Sequence, residues 1–251
     1  MNAESVGALI LAAGKGTRMK SDLPKVLHPI LGRPLLAYVT DAARAAGCEK
    51  LVAVVGHRAD AVRSAFAGKG LFFVEQNPQL GTGHAVAQAA GAFAGYEGTV
   101  LILCGDVPLL RPETLCDLVL SHRRHHAEVT VMTVVLDDPG HYGRVIKNEN
   151  GDVVKIVEAR DASSEERAVR EINTGIYCVE CPYLFGAVAQ IGNDNAQKEY
   201  YLTDIIEISR RKGKKTVAFV AADPGEVMGI NTPDELALAE RILGKRRSAQ
   251  G

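Results

Sequence analysis

The sequence VGALILAAGKGTRM, residues 6–19, joins an apolar run to a glycine-rich loop, and this junction decides the expected fold. The run has the length of one buried strand, and the glycines mark a turn directly after it. Three further apolar runs follow, separated by segments with helical spacing. This alternation predicts an α/β, Rossmann-like doubly wound sheet. The predicted strands are 8–12, 51–55, 71–74 and 100–104, and the predicted helices are 34–46, 59–67, 83–93 and 112–125.

The second half of the chain indicates a mixed sheet, because strands now follow one another directly. Residues 144–157 predict a hairpin around a turn at Asn148 to Gly151. We expect this hairpin to belong to a smaller lid-like subregion at about 140–200. The remaining predicted strands are 129–136, 171–179 and 216–221, the predicted helices are 201–212 and 233–244, and residues 245–251 are expected to be a frayed polar tail.

The composition is that of a packed globular protein. Its charge balance argues against binding nucleic acid or an anionic membrane over a large surface. Its 251 residues are 47% hydrophobic and 24% charged, which suits one large domain. Lys and Arg number 29 against 30 Asp and Glu, a net charge of -1. No basic field is present to attract nucleic acid or an anionic membrane, so we expect small-molecule partners and leave protein partners open.

The N-terminal apolar run and the cysteine content indicate a cytoplasmic protein. The apolar run 6–13 is too short to span a bilayer, and no Lys or Arg precedes it. Five cysteines are an odd number, so reduced thiols are expected rather than a disulfide framework. Cys178 and Cys181 form one C-x-x-C pair without a second, and Pro182 follows where a strand is expected to end. Zinc and redox chemistry are therefore not predicted.

The first loop lies where ligands bind in such sheets, at the carboxyl end of a strand. Its glycines would let backbone N–H groups approach a phosphate or a base, and Arg18 and Lys25 would offset phosphate charge. The alternative is a tight turn with solvated cations, which the glycines alone do not exclude. Met19 stands where a dinucleotide fingerprint needs a small residue, and no Gly-Lys pair precedes Ser or Thr. Neither a dehydrogenase nor a P-loop kinase is favoured.

A second glycine-rich loop, residues 76–85, follows the third strand and faces the same edge. Gln76 is able to read a base edge through its amide, and Gly81 would admit a flat ring against the backbone. The alternative is an ordinary helix start capped by Thr82.

The fourth strand delivers one carboxylate, Asp106, to this edge. Magnesium takes one or two protein oxygens and completes its octahedron with water and substrate phosphates, so Asp106 is a candidate ligand. Asn231 offers a second oxygen at another strand-to-helix junction. The alternatives are a turn or N-cap residue for Asp106 and a helix cap for Asn231. A phosphomonoester with a second pKa of about 6 is largely dianionic at neutral pH, so attack on a nucleotide's α-phosphorus needs no general base.

Three histidines late in the fourth helix prompt a search for another metal or acid–base site. His122, His125 and His126 accompany Arg123 and Arg124, and no carboxylate or cysteine lies at ligand spacing. Cations favour a helix C-terminus. We interpret the group as a solvated helix end.

Taken together, the motifs closely resemble the uridyltransferase domain of bacterial N-acetylglucosamine-1-phosphate uridyltransferases over nearly the whole chain. This resemblance implies the nucleotide-diphospho-sugar transferase type of fold, with residues 1–231 as the nucleotidyltransferase domain and 232–251 as a C-terminal helix and tail. The motifs are LAAGKGTRM (11–19), LPKVL (23–27), QLGTGHA (79–85), GDVPL (105–109), YGRV (142–145), EINTGIY (171–177) and EYYLTD (199–204).

The resemblance implies transfer of a uridylyl group from UTP to N-acetylglucosamine-1-phosphate with Mg²⁺ as the cofactor. Arg18, Lys25 and Asp106 would be catalytic, and Asp106 and Asn231 would bind the metal. The substrate-binding residues implied are Leu11, Ala12, Ala13, Gly14, Gln76, Gly81 and Thr82 on the uracil side, Lys25, Cys104, Gly105, Asp106 and Asn231 near the phosphates, and Gly143, Glu158 and Asn173 around the sugar.

Three departures from the family pattern limit how far the family's residue roles can be assigned to this chain. Cys104 stands where Tyr is expected, and Lys198 stands where Gly is expected. The hexapeptide-repeat β-helix that usually follows, with its acetyltransferase activity and trimer surface, is absent from these residues, so we expect no acetyl transfer. Remaining alternatives are a related transferase for another sugar-1-phosphate, an isoprenoid phosphate or a molybdenum cofactor, and an inactive nucleotide-sugar sensor.

Overall fold

A computed structural model describes residues 5–248 of the chain. The strands are β1 Val6–Ala12, β2 Pro29–Ile30, β3 Arg33–Pro34, β4 Lys50–Val55, β5 Phe72–Glu75, β6 Thr99–Cys104, β7 Val129–Val135, β8 Arg144–Lys147, β9 Val153–Val157, β10 Glu171–Glu180 and β11 Thr216–Val220. The α-helices are α1 Leu35–Ala45, α2 Ala59–Ala65, α3 Thr82–Gln88, α4 Pro112–Arg124, α5 Ser164–Arg167, α6 Cys181–Val188, α7 Ile205–Arg211 and α8 Pro233–Ser248.

The central sheet is mixed and follows the order β11-β7-β10-β6-β1-β4-β5. Strands β6, β1, β4 and β5 are parallel, while β10 runs antiparallel to both β6 and β7. The chain moves outward from β1 in one direction through β4 and β5, then returns to the other side of β1 with β6. That reversal is a topological switch point, where open α/β sheets bind their ligands. It lies where Leu11 pairs with Cys104.

Alternating side chains of the central strands pack into two apolar layers, one on each face of the sheet. Ile10 belongs to one layer with Leu36 of α1 and Leu118 of α4. Leu9 belongs to the other with Leu184 of α6. Fully burying an aliphatic side chain of this size contributes about 1.5–3 kcal/mol, so β1 is firmly held from both sides. The loop that follows β1 therefore begins from a rigid support.

A third apolar cluster lies beneath the loops at the carboxyl edge of the sheet. It joins the first glycine loop, the segment after β6 and the start of α8, which are far apart in sequence. Its buried members are Met19, Ile30, Leu35, Leu109, Ile230 and Ala239.

The predicted α/β doubly wound mixed sheet is confirmed, as is the hairpin of β8 and β9. The predicted helix 83–93 is wrong in its second half, because α3 ends at Gln88 and a separate 3-10 turn occupies Gly91–Phe93. The predicted helix 201–212 is likewise a 3-10 turn at Leu202–Asp204 followed by α7. The sequence reading missed α5, α6 and the short β2–β3 hairpin.

Two features of the ends of elements also differ from expectation. The strand before Cys181 ends as predicted, but Cys181 and Pro182 begin α6, since proline is tolerated in the first turn of a helix. The predicted frayed tail was wrong for residues 245–248, which continue α8. Residues 249–251 of that tail lie outside the described part of the chain.

Within residues 5–248, no helix is both long and apolar enough to cross a membrane. All five cysteines are free thiols.

Candidate active site

The first glycine loop wraps closely around Lys25. Gly16 has a φ of +62°, and a Cβ placed on it would lie 2.7 Å from the Cβ of Lys25. Only a residue without a side chain permits both the left-handed backbone and this approach. Residues 11–15 line a cavity of about 490 Å³ at the switch point, and Lys25 lies on its wall.

The second glycine loop is built around a buried amide. Gln76 is 4% exposed, and its backbone N–H donates to the carbonyl of Val55 at 2.8 Å. Its side-chain Nε2 donates to the carbonyl oxygen of Gly81 at 2.9 Å and lies 3.1 Å from Nδ1 of His84. The amide is therefore held in one orientation on the wall of the same cavity.

Gly81 satisfies a packing requirement different from the one we predicted. Its φ is +106°, and an added Cβ would lie 2.7 Å from the carbonyl oxygen of Tyr200. The glycine thus admits the backbone at Tyr200, whose N–H donates to Leu80 at 2.8 Å and whose carbonyl accepts from Gly83 at 2.7 Å. Glu199, next to Tyr200, lines the cavity as a result.

The two loops form one wall because a side chain bridges them. Nε2 of Gln79 donates to the carbonyl oxygen of Ala13 at 2.5 Å. The complete lining is Leu11, Ala12, Ala13, Gly14, Lys15, Lys25, Val26, Gln76, Gln79, Gly81, Thr82, Ala85, Cys104, Asp106 and Glu199.

Asp106 and Asn231 converge at the edge of this cavity. The backbone N–H of Ile230 donates to the carbonyl oxygen of Asp106 at 2.9 Å, which places the two loops side by side. Asp106 Oδ2 forms an ion pair with the ammonium of Lys25. The same ammonium donates to Asn231 Oδ1 at 2.7 Å, and the guanidinium of Arg18 donates to that oxygen at 2.9 Å. The cluster thus contains two cations and the carboxylate of Asp106, and Glu235 adjoins it, because its Oε2 accepts the N–H of Asn231 at 2.6 Å.

The structure excludes the helix-cap alternatives for Asp106 and Asn231 but agrees with the turn alternative for Asp106. Asp106 lies in the turn after β6, and the N-cap of α4 is Arg111. Thr232 caps α8 instead of Asn231, because its Oγ1 accepts the N–H of Glu235 at 3.2 Å. Nδ2 of Asn231 donates to Gly229 at 3.1 Å, which orients its oxygen toward Lys25.

Three residues implied for the sugar side lie together. The N–H of Asn173 donates to the carbonyl oxygen of Gly143 at 2.9 Å, and a Cβ on Gly143 would be 3.4 Å from Oε1 of Glu158. Oδ1 of Asn173 accepts the N–H of Gly175 at 3.0 Å. Glu158 lines a second cavity of about 470 Å³ with Arg18, His141, Ala159, Arg160 and Gln197.

The surroundings of the second cavity raise the pKa of its carboxyl group, Glu158. Burial raises the pKa of Glu158, and the neighbouring carboxylates of Asp161, Asp204 and Glu199 raise it further. Burial also raises the pKa of Asp204 to about 6. Arg18 lines the second cavity and also belongs to the charged cluster, where it donates to Asn231 Oδ1.

Cys104 and Gly105 occupy the switch point itself. Sγ of Cys104 lies 3.6 Å from the carbonyl oxygen of Gly175, and burial raises the pKa of the Cys104 thiol to about 12. The group is therefore a neutral thiol at neutral pH. The N–H of Gly105 donates to Leu11 at 2.9 Å, and an added Cβ would come within 3.1 Å of the same oxygen.

One alternative and one expectation from the sequence are wrong. The alternative role of Thr82 as the cap of α3 is excluded, because the N-cap is Gly81 and Oγ1 of Thr82 accepts the N–H of Leu202 at 3.0 Å. His122 is not solvated, because only 1% of the residue is exposed. Its Nδ1 lies 2.8 Å from Oγ1 of Thr130 and its Nε2 lies 3.0 Å from Oε1 of Glu180. His125 and His126 are exposed, as expected.

The sequence reading missed several residues of the two cavities. Gln79 and Glu199 were inside quoted motifs but had been given no role. His141, Arg160 and Gln197 had no signal, since each is a single polar residue outside the recognised motifs. Within residues 5–248, no group of three or more His, Cys, Asp or Glu side chains is arranged to hold a metal ion.

The chain has clear relatives. Residues 8–172 match the family model of MobA-like NTP transferase domains. Two relatives named bifunctional protein GlmU are 55% identical over 244 residues (97% of this chain, 53% of that protein) in Pelobacter propionicus and 54% identical over 242 residues (96% and 51%) in Geobacter metallireducens. The chain thus spans about half the length of the curated relatives it matches.

The fold also matches a solved structure. A UDP-glucose pyrophosphorylase complexed with UDP-glucose superposes with a TM-score of 0.76 at 20% identity, covering 97% of this chain and 100% of the other. At that identity the likeness concerns the fold alone.

Proposed function

The chain belongs to the family of MobA-like NTP transferase domains, and from this premise we propose that it transfers a uridylyl group from UTP to N-acetylglucosamine-1-phosphate. The products would be UDP-N-acetylglucosamine and pyrophosphate. Two further facts support the choice of substrates: the ordered motifs resemble those of the N-acetylglucosamine-1-phosphate uridyltransferases, and the relatives named bifunctional protein GlmU align along 96–97% of the chain.

The observation that carries the proposal is the meeting of two glycine loops with a charged cluster at one switch point. The cavity wall formed by residues 11–14, Gln76 and Gly81 would hold the uracil, with Thr82 nearby. The cluster beside it offers two cations for a triphosphate. A dinucleotide or P-loop enzyme would need other motifs, which the sequence lacks.

The donor set at the cluster fits Mg²⁺. Asp106 Oδ2 and Asn231 Oδ1 both contact the ammonium of Lys25, so a single cation is able to reach both oxygens. Carboxylate and amide oxygens are the hard ligands that Mg²⁺ prefers, and water and substrate phosphates supply the rest of its octahedron. We therefore propose Asp106 and Asn231 as its ligands. When bound, the ion would neutralise charge on the phosphates.

The remaining chemistry falls to residues that bind and orient. Arg18 and Lys25 would hold phosphate oxygens and stabilise charge as it develops at the α-phosphorus. Glu158, Asn173 and the N–H of Gly143 would bond the sugar's hydroxyls and acetamido group, with Cys104 and Gly105 forming the floor between the two substrates. The attacking phosphate is already an anion near neutral pH, so alignment replaces proton abstraction.

The proposed domain bounds follow from the proposed uridylyl transfer. Residues 1–231 would form the nucleotidyltransferase domain, with a sugar-binding lid at about 140–200, and 232–251 would form the C-terminal helix and tail. Five free cysteines suit a reducing compartment, so we place the activity in the cytoplasm.

The test is a pyrophosphate-release assay with a panel of nucleoside triphosphates and sugar-1-phosphates. We expect turnover with UTP and N-acetylglucosamine-1-phosphate in Mg²⁺ and none with excess chelator. Turnover confined to another sugar would remove the substrate claim. Tight binding of a UDP-sugar without any pyrophosphate release would identify a sensor instead of an enzyme.

A further inference from the structure

The two proposed metal ligands lie on separate loops that must be held at a fixed spacing. We call residues 105–111, after β6, and 223–232, before α8, the ligand loops. Near the ligands the loops are joined by the backbone bond from Ile230 to Asp106, 2.9 Å long. One such bond fixes a point of contact but leaves rotation about it free.

A buried ion pair joins the same loops a second time. Glu226 is 2% exposed, and its Oε1 accepts from Nε of Arg111 at 2.6 Å. Its Oε2 accepts from Oγ1 of Thr114 at 2.5 Å and from the N–H of Arg111 at 3.4 Å. A buried carboxylate is costly unless such donors surround it. Neither Glu226 nor Arg111 lines the nucleotide cavity, so the pair does not itself contact a substrate there.

The pair is placed symmetrically about the proposed metal ligands. Arg111 lies five residues after Asp106 (111 minus 106), and Glu226 lies five residues before Asn231 (231 minus 226). The ion pair and the backbone bond are therefore two separate attachments along the same two loops. Arg246 of α8 adds a third by donating to the carbonyl oxygen of Leu109 at 2.7 Å.

We propose that Glu226, acting through Arg111, is a positioning residue that sets the separation of the Asp106 and Asn231 oxygens for a divalent cation. This inference rests on the proposed function only in naming Mg²⁺ as that cation. Partners outside the first set of ligands commonly alter metal affinity by about 10- to 100-fold. Because Glu226 acts through the backbone and not on a ligand side chain, we expect a smaller effect, about three- to tenfold.

A merely structural role would give a different result. Loss of the ion pair would then lower the melting temperature while leaving the dependence on metal concentration unchanged. The matched control is Glu180→Gln, which alters another carboxylate pair, with the buried His122, at the amino-terminal end of β6. It is expected to cost stability without changing metal binding.

The experiment compares Glu226→Gln and Arg111→Lys with the wild type and with the control. Binding of Mn²⁺ is measured by electron paramagnetic resonance with and without UTP, and pyrophosphate release is measured across Mg²⁺ concentrations. We expect weaker Mn²⁺ binding and a matching rise in half-saturating Mg²⁺, with kcat at saturating Mg²⁺ within about twofold of wild type.

The design separates failure of this inference from failure of the proposed function. Wild-type Mn²⁺ affinity in both variants, even with lower melting temperatures, overturns the inference. A wild type that binds Mn²⁺ with UTP but releases no pyrophosphate overturns the function and still leaves the Mn²⁺ comparison decisive. If Glu226→Gln fails to fold, Arg111→Lys keeps the charge of a half-exposed side chain and removes only the planar fork.

Discussion

Opposite ends of the central sheet each place a carboxylate beside a basic side chain, but the two pairs are packed differently. At the carboxyl end of β6, Lys25 and Asp106 have side chains 13% and 21% exposed and border a cavity. At the amino-terminal end of β6, His122 is 1% exposed and is held between Thr130 and Glu180, whose side chain is 37% exposed. We call the first end open, because its pair borders a cavity, and the second end closed, because protein groups surround the histidine.

The difference lies in what surrounds the basic side chain, a ligand-sized cavity at one end and protein groups at the other. At the closed end Thr99 also donates to Glu180, at 3.2 Å, so protein donors satisfy the carboxylate. At the open end Lys25 contacts Asp106 and Asn231, and Arg18 contacts Asn231, so two cations are available to phosphates. We therefore expect changes at the open end to alter catalysis and changes at the closed end to alter folding.

The largest expected effect is at the open end. Asp106→Ala should reduce kcat by about 10²–10³-fold, as expected when a charge-stabilising group is removed from a transition state. Its free energy of unfolding should change by less than about 1 kcal/mol, since the pair is partly exposed. Pyrophosphate release and urea unfolding measure the two quantities. Near-normal turnover would contradict the metal assignment.

The reverse pattern is expected at the closed end. His122→Ala should lower the free energy of unfolding by about 2–3 kcal/mol, because it leaves a cavity and removes the partner of Thr130 and Glu180. At a temperature where the variant is folded, kcat should stay within about twofold of wild type. His125→Ala, in the same helix end but exposed, is the control and should cost less than about 0.5 kcal/mol. Equal losses of unfolding free energy in His122→Ala and His125→Ala would show that the buried contacts of His122 do not stabilise the fold.

The two ends should also respond oppositely to pH. The hydrogen bond from His122 lowers the pKa of Glu180 below its usual 4.5, so this group stabilises the fold above pH 4.5 and the benefit is lost as pH falls through the lowered pKa. Burial raises the pKa of Asp204, near Glu158, from 3.8 to about 6, so its contribution is present below pH 3.8 and is lost as pH rises through 6.

Unfolding measured from pH 3 to 8 checks these signs. Glu180→Gln should lose stability at pH 7 and approach wild type at the acid end. Asp204→Asn should gain stability at pH 7, and its advantage should shrink toward pH 4. Parallel curves for all three proteins would show that neither carboxyl is linked to folding.

The smallest effect concerns Lys198, which stands where the family resemblance leads us to expect Gly. Its φ is +56°, a left-handed backbone that costs a side-chain-bearing residue about 1 kcal/mol. Lys198→Gly should therefore raise the free energy of unfolding by up to about 1 kcal/mol, seen as a higher melting temperature. Gln197→Gly, one position earlier, should do the opposite, because glycine there only adds chain entropy to the unfolded state.

The fold was largely readable from the sequence because β1, β4 and β6 are buried on both faces and read as unbroken apolar runs. The helix at α6 was missed, since a Cys-Pro pair after a strand gives no helical period. The positions of Gly16, Asp106 and Asn231 were predictable from motifs placed at strand ends. The contacts that Asp106 and Asn231 make with Lys25 were not predictable from those motifs.

What sequence reading missed depends on contacts between distant segments. His122 read as solvated because its partner Glu180 lies 58 residues away. A cap at Thr82 stayed open as an alternative because Leu202, whose N–H it accepts, is 120 residues away. Local spacing carries no information on such pairs, so burial at these positions follows only from the tertiary fold.

The bond from Ile230 to Asp106 has a consequence for synthesis on the ribosome. The proposed metal ligands are 125 positions apart (231 minus 106), so a nascent chain presents both glycine loops well before the second ligand emerges. At about 5–20 residues per second, at least several seconds separate the two events. Unfinished chains would therefore remain inert toward metal-bound nucleotide until translation of this region is nearly complete.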